Sequence, residues 1–144
     1  MTNLLLVSFV LLVSVTFNQV TAIDAPLVGG FSPLNAAEYT DKAWKSVKEI
    51  NGKTNGKYYL VPIKVVKAQV QVVAGTNTEL EVLVGESSCE TAKQPVSRIA
   101  AANCGPRAHG ARALYRVSIW EKSWEHFEQI TAEKIRDVAD GEHF

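Results

Sequence analysis

The sequence predicts an α+β domain of two layers, in which one helix packs on an antiparallel sheet of about four long strands. Two observations support this fold class. Residues 36–51 carry apolar side chains at helical spacing, and four segments between residues 58 and 132 alternate apolar and polar side chains. A helix with one apolar stripe must bury that stripe against another layer, and the sheet supplies it.

The chain begins with an uncharged apolar run, LLLVSFVLLVSV, at residues 4–15. The run is shorter than the roughly 20 apolar residues that cross a bilayer, and Val20-Thr21-Ala22 supplies small residues for cleavage. We therefore expect a signal peptide at 1–22, a mature domain at 23–144 and secretion. No Lys or Arg precedes the run, and an uncleaved anchor or a buried helix remain the alternatives.

The segment that follows, residues 23–34, contains two prolines, two glycines and no helical period, which predicts a mobile arm. Asn35 and Glu38 then have the spacing of a helix-capping box. Gly52 follows the last apolar position and predicts a left-handed helix end. The helix predicted over 36–51 has a stripe formed by Ala36, Tyr39, Ala43, Val47 and Ile50.

Two strands and a tight turn are predicted next. Residues 58–74 are rich in Val, Tyr and Ile, and Ile63 and Val65 lie out of phase, which indicates a bulge or bend. Gly75 introduces the turn of a hairpin. The apolar positions that share one face are Val66, Ala68, Val70 and Val72 in the first strand and Leu80, Val82 and Val84 in the second.

The rest of the chain predicts two more strands. Residues 86–111 are polar and contain Gly and Pro, so they form a loop. Alternation predicts a third strand near 113–120, a turn at 121–123 and a last strand from about 125 to 132. The charged tail from residue 133 is expected to be frayed or helical.

Cysteine count and charge limit the function classes. Cys89 and Cys104 are the two cysteines, and in a secreted chain an even number suggests a disulfide. Fifteen basic and fifteen acidic residues make the chain formally neutral, so it has no long-range attraction for nucleic acid or anionic lipid. We expect no nucleic-acid partner and, after signal cleavage, no membrane partner.

Enzymatic function is not supported by the titratable residues. His109, His126 and His143 have no plausible nucleophile partner, because both cysteines are expected to be bridged. Two cysteines without a second pair do not match a zinc pattern. The sequence therefore predicts no catalytic residues, no metal and no cofactor.

Three short segments are unusual for solvated turns. They are Leu27-Val28-Gly29-Gly30 in the arm, Gln71-Val72-Val73-Ala74-Gly75 at the hairpin tip, and Ser123-Trp124 before the last strand. Taken singly, they are explained at least as well as a linker, a strand entering a turn and a partly buried sheet residue. If the hairpins point the same way, the three segments form one apolar wedge.

The order and spacing of these segments resemble the cystatin family of papain-like cysteine protease inhibitors. Gln71, Val73 and Gly75 match the family's Gln-x-Val-x-Gly hairpin, and Leu27–Gly30 matches its arm. Ser123-Trp124 keeps the Trp of the usual Pro-Trp hairpin and lacks the proline. The run from Ala113 to Phe127 is similar to secreted, type 2-like cystatins of invertebrate and nematode type.

This resemblance implies a fold, a mechanism and partners. The fold is one long helix on a curved antiparallel sheet of four to five strands, with a Cys89–Cys104 bridge. Leu27 and Val28 would fill the unprimed pockets of a cathepsin of the L, B or S type, and Trp124 would contact the primed side. Inhibition by the three-part wedge would be reversible and competitive, by a monomer.

A second site and a second class of function stay open. Some secreted cystatins inhibit legumain through an Asn after the helix, and Thr54-Asn55-Gly56 stands at that place without the usual Asp. The alternative is that Asn55-Gly56 is an ordinary turn. A non-inhibitory cystatin-fold protein that acts in binding, host defence or immune modulation is the alternative function.

Overall fold

The computed structural model describes residues 29–144, so the predicted signal peptide at 1–22 lies outside the described residues. Its architecture is one helical segment on a five-stranded antiparallel sheet in the order β1-β2-β3-β4-β5. The strands are β1 (Phe31–Leu34), β2 (Tyr58–Val73), β3 (Gly75–Glu90), β4 (Arg112–Lys122) and β5 (Phe127–Val138). Each strand pairs with the next along the chain, so the predicted α+β fold is confirmed.

The helical segment covers the predicted residues but is divided into short pieces. A 3-10 turn at Ala36–Tyr39 leads to α1 (Thr40–Lys45), and α2 (Val47–Asn51) follows after Ser46. The Ser46 hydroxyl is fully buried and donates to the Lys42 carbonyl, 2.9 Å away. Such back-bonding competes with the helical ladder and bends helices, which explains the break in the predicted long helix.

The helix start and end differ in detail from the capping prediction. The Asn35 side chain accepts from the Ala37 N–H and donates to the Glu38 carboxylate, so Glu38 does not reach back to the backbone. Gly52 has a right-handed φ of −64°, so the predicted left-handed end is wrong. The Asn51 side chain closes the end instead, because it bonds to both the N–H and the carbonyl of Leu60 in β2.

The main core lies between the helical segment and the inner face of the sheet. Ala43, Val47 and Ile50 are buried, as the predicted stripe requires. Leu80, Val82 and Val84 are each fully buried on the facing strand β3. Burying such side chains is the dominant favourable contribution to folding, so this interface fixes the helix on the sheet.

The predicted irregularity in β2 is confirmed by two of the three register shifts in its pairing with β3, at Pro62/Lys64 and Val65/Lys67. The second shift changes which side chains share a face. Val65 and Ala68 face the main core, whereas Val66 packs on the outer face against Leu83. The prediction that Val66 and Ala68 share a face is therefore wrong, because a bulge inverts the alternation.

Two further predictions about the chain ends are wrong. Residues 31–34, predicted as part of a mobile arm, form β1 and pair with residues 68–71 of β2. The tail from Glu133, predicted as frayed or helical, continues β5 to Val138. Both segments are held by backbone pairing, and each also packs one apolar side chain, Leu34 in β1 and Val138 in β5. Within residues 29–144, the helices are all too short or too polar to cross a membrane.

Candidate functional site: one end of the sheet

The arm reaches the described part of the chain at Gly29, while Leu27 and Val28 lie outside it. Gly29 has a positive φ of 84°, a conformation that glycine adopts without strain. The Gln71 side-chain amide donates to the Gly29 carbonyl oxygen across 2.6 Å, and Phe31 pairs with Gln71 in the sheet. These contacts hold the start of the domain beside the end of β2.

The tip of the β2–β3 hairpin presents small and apolar side chains to solvent. Val72 is 70% exposed and Val73 is 43% exposed, and Ala74 stands at the apex between the strands. Gly75 has a φ of 97°, and a Cβ there would overlap the Glu121 carbonyl oxygen. This position therefore requires glycine for two reasons: its φ is positive, and the backbone of β4 leaves no room for a Cβ.

The β4–β5 hairpin turns at Ser123–Glu125 and His126, two residues later than the predicted turn at 121–123. His126 has a left-handed φ of 49°, and its N–H donates to the Ser123 carbonyl. Trp124 is 66% exposed, and its indole N–H donates to the Glu125 carboxylate. This turn displays a large aromatic side chain instead of burying it.

The sheet order brings the three segments to the same end of the molecule. Gln71 touches Gly29, Gly75 lies against the backbone of Glu121, and Glu121 directly precedes the turn that carries Ser123 and Trp124. The juxtaposition required by the wedge hypothesis is therefore present for all its described residues. We call this end, formed by residues 29–31, 71–76 and 120–127, the hairpin end.

An aromatic cluster at the hairpin end was not singled out in the sequence. Trp120 contacts Phe127 edge to face, with ring centroids 5.2 Å apart, and Lys122 lies over both rings. The Trp120 indole N–H donates to the Ala74 carbonyl oxygen at 2.9 Å. The available signal was alternation: Ile119 faces the core, so Trp120 must face outward beside the first hairpin.

On the inner face, two ion pairs join the helix to the second hairpin. Lys42 of α1 pairs with Glu121, and Lys45 of α1 pairs with Glu128. Each pair is partly exposed, so each contributes only a small stabilisation. Together they fix the side of the hairpin opposite the aromatic cluster.

Asn55 lies at the other end of β2 from Ala74. It is exposed in the loop between α2 and β2, and the neighbouring Gly56 carbonyl accepts a hydrogen bond from the Thr91 hydroxyl. Sixteen residues of β2 separate this loop from the first hairpin tip, about 50 Å for a straight strand. The predicted second site is thus remote from the hairpin end.

The same remote end contains the disulfide between Cys89 and Cys104. The two half-cystines pack with Tyr59 and Val61 in a separate apolar cluster. The guanidinium of Arg107 lies 4.0 Å from the centre of the Tyr58 ring. We call this region, formed by residues 54–61 and 86–111, the disulfide end.

The carboxy-terminal tail is held to the sheet near the disulfide end by polar contacts. A hydrogen bond with His109 lowers the pKa of Asp140, and one from Arg136 lowers the pKa of Glu142. Arg112 donates to the carbonyls of Ala139 and Glu142. Among residues 29–144 no group of three or more metal-ligating side chains forms, and both cysteines are in the disulfide.

Comparisons with known proteins agree on one family. A family model described as a cystatin domain matches residues 29–103. Cystatin cpi-1 from Caenorhabditis elegans is 57% identical over 135 residues, which are 93% of this chain and 97% of that protein. The crystal structure of Al-CPI has a TM-score of 0.60 at 36% identity, covering 74% of this chain and 99% of that one.

A more distant structure shows the same fold. The salivary cystatin of the soft tick Ornithodoros moubata has a TM-score of 0.62 at 20% identity, and the match covers 75% of this chain and 98% of that one. At this identity the likeness concerns the arrangement of helix and sheet alone. The cystatin-like architecture inferred from the sequence is therefore confirmed by structures as well as by sequence relatives.

Proposed function

This chain belongs to the cystatin family, and from that premise we propose that it is a reversible, competitive inhibitor of papain-like cysteine proteases of the cathepsin L, B and S type. Membership of the family implies inhibition of cysteine proteases in general. The finer proposal is that the hairpin end enters the active-site cleft of the protease, and that the chain has no enzymatic activity.

The observation that carries the proposal is the exposure of apolar side chains at the hairpin end. Val72 and Trp124 are 70% and 66% exposed although each stands next to a well-packed sheet. Two such side chains on adjacent hairpins favour burial against a partner, because apolar area removed from water contributes about 25 cal/mol per Å². Trp in particular is enriched among residues that dominate binding energy.

Each segment has a distinct role in this proposal. Leu27 and Val28, outside the described residues, would occupy unprimed pockets, and Gly29 would let the arm pass the catalytic thiol without presenting a peptide bond for attack. The hairpin from Gln71 to Gly75 would approach the cleft with small side chains. Ser123 and Trp124 would contact the primed side. Binding would be reversible, since both cysteines are held in a disulfide.

The test is titration of papain and cathepsin L with residues 23–144, followed by hydrolysis of a fluorogenic peptide. We expect stoichiometric inhibition that is competitive with substrate and is reversed on dilution. Removal of residues 23–29 and, separately, Trp124→Ala should each weaken inhibition. The matched control is Phe144→Ala, which removes an exposed aromatic ring far from the hairpin end.

The alternative function predicts a different result in the same titration. A folded, oxidised chain that leaves papain and cathepsin L fully active would be a non-inhibitory cystatin-fold protein with a role in binding, host defence or immune modulation. Equal inhibition by the wild type and by both hairpin-end variants would contradict the wedge, even if cysteine proteases are the target.

A second candidate activity rests on the exposed Asn55. Its exposed side chain would enter the Asn-specific pocket of a legumain-type protease. Asn55 lies at the end of β2 opposite the hairpin end, so the two sites would be separate. Asn55→Lys should abolish legumain inhibition and leave papain inhibition unchanged. A wild-type chain that does not inhibit legumain would make Asn55-Gly56 an ordinary turn.

Secretion and the domain boundary belong to the same proposal. Expression of the full chain in a secretory host should release a monomer that begins at Ile23, as read by amino-terminal sequencing and light scattering. Retention of the apolar run at residues 4–15 in the released protein would contradict the boundary at Ala22, and a membrane-bound product would contradict secretion.

A further inference from the structure

The two hairpins at the hairpin end are linked by one side chain that the wedge description does not use. The Trp120 indole N–H donates to the carbonyl oxygen of Ala74, the apex of the other hairpin, at 2.9 Å. Trp120 belongs to β4, and Ala74 lies between β2 and β3. The bond therefore extends from one hairpin to the tip of its neighbour, beyond the last backbone pairing of β3 with β4.

The apex has few side-chain contacts of its own. Val72 and Val73 expose their side chains on one side of Ala74, although their backbones pair with Thr76 and Gly75. Loop tips with exposed side chains and few packing contacts belong to the low-stability part of a fold. The bond from Trp120 to the apex carbonyl adds a side-chain contact to the backbone pairing that ends at Gly75.

Trp120 is itself held firmly on the outer face of the sheet. Its ring is packed edge to face against Phe127, and the Lys122 ammonium lies 4.9 Å from its centre. Lys122 also pairs with Glu125 in the second turn. On the inner face, Glu121 is paired with Lys42 of the helix, so the end of β4 that leads into the turn has contacts on both faces.

We propose that Trp120 is a positioning residue that makes the two hairpins one rigid unit, by holding the Ala74 carbonyl at the tip of the first. The inference rests on the proposed function for its consequence, since a preordered tip loses less conformational freedom when it enters a protease cleft. Trp120 acts through Ala74 and need not touch the protease. The arrangement supplies rigidity in a chain that has Ser123 where its family usually has proline.

The direct test is made on the free protein, in the form that a secretory host releases from the full chain. In the wild type, the Trp120 indole N–H should exchange with solvent about tenfold more slowly than that of Trp124. The backbone amides of Ala74 and Gly75 should have order parameters near 0.85, typical of rigid backbone. Equal exchange of the two indoles, or order parameters below about 0.6, would overturn the proposal without any mutation.

The matched variants are Trp120→Phe, which removes the donor and keeps an aromatic ring, and Trp44→Phe, the same change against the cluster of the disulfide end. In Trp120→Phe the order parameters at Ala74 and Gly75 should fall, and dissociation from papain should be about fivefold faster with an unchanged association rate. Trp44→Phe should leave the order parameters at Ala74 and Gly75 and both rate constants for papain unchanged. An altered unfolding midpoint with an ordered tip would mean a merely structural role.

Double-mutant cycles show whether Trp120 acts through the first tip. Combined with Val72→Ala, Trp120→Phe should weaken inhibition less than the sum of the single changes, because both act on the same contact. When Trp120→Phe is combined with Trp124→Ala, the two losses of inhibition should add. Additive losses in both cycles would overturn the inference. If the wild type does not inhibit papain, the proposed function fails, and the order parameters alone decide the role of Trp120.

Discussion

At the hairpin end the chain exposes Val72 and Trp124 and closes its turns with glycine or left-handed residues, whereas at the disulfide end it is cross-linked. There the Cys89–Cys104 bridge packs with Tyr59, whose hydroxyl also donates to the Gln94 carbonyl at 2.7 Å. The difference indicates a division of roles along the sheet, with the disulfide end contributing to stability and the hairpin end to binding. The covalent cross-link lies at one end of the sheet, and the exposed apolar side chains lie at the other.

The strongest way to break this division is to remove the disulfide with Cys89→Ala and Cys104→Ala. The bridge joins residues 15 apart, and on the chain-entropy model its loss should lower the free energy of unfolding by about 3 kcal/mol. Denaturant titration measures the change. Papain inhibition by the variant that remains folded should stay within about twofold, because the bridge is remote from the hairpin end. A folded variant that no longer inhibits would refute the division.

The complementary change is Trp124→Ala at the hairpin end. We expect it to weaken papain binding by about 2 kcal/mol, or roughly 30-fold, since a buried Trp anchor is worth that much at an interface. The unfolding free energy should change by less than about 0.5 kcal/mol, because the side chain is 66% exposed. A large loss of stability would show that Trp124 supports the fold instead of a partner.

A smaller effect is expected from Ser123→Pro, which restores the residue usual in the family. Ser123 begins the 3-10 turn, a position that proline's fixed φ suits. Restricting the loop should strengthen binding by about 0.4–1 kcal/mol, measured as the papain inhibition constant. Ser123→Ala is the control for loss of the hydroxyl. Unchanged inhibition in the proline variant would remove the claim that serine loosens this hairpin.

The smallest effect concerns the tail near the disulfide end. The pKa values of Asp140 and Glu142 are lowered from 3.8 and 4.5 by hydrogen bonds with His109 and Arg136. Their contribution to stability is therefore present above those values and is lost as the pH falls through the lowered ones. The protection factor of the Gly141 amide, which corrects its exchange rate for the intrinsic effect of pH, should fall as the pH drops through the lowered pKa values. His109→Gln should lower this protection factor at neutral pH, and an identical pH response in both proteins would exclude the His109 contact.

The sequence was sufficient to predict the parts of the fold that carry a periodic apolar pattern. The stripe of Ala43, Val47 and Ile50 and the alternation of Leu80 and Val82 both lead to buried side chains. A helix or strand with one buried face needs apolar residues at its own period, and this period can be recognised in the sequence. The bulge near Val65 was visible for the same reason, as an interruption of the pattern.

Elements that are stabilised mainly by backbone pairing were missed. Residues 31–34 form a four-residue edge strand that contains Pro33, and the end of β5 is charged and solvated. Each segment packs one apolar side chain, Leu34 in β1 and Val138 in β5, which is too few for sequence periodicity to detect. At the site, the motif residues were found, whereas the bond from Trp120 to Ala74 depends on the register of β3 and β4, which local sequence does not specify.

The last strand in the sheet order, β5, has a further consequence for self-association of the chain. Its outer margin carries Glu128, Glu133, Lys134, Arg136 and Asp137, so charges of both signs recur along twelve residues. An edge strand has unpaired N–H and C=O groups that can pair with another chain and start aggregation, and charged side chains on the edge strand oppose such pairing. The charged residues from Glu133 onward, which led the end of this strand to be predicted as frayed or helical, thus disfavour pairing of this edge with another chain.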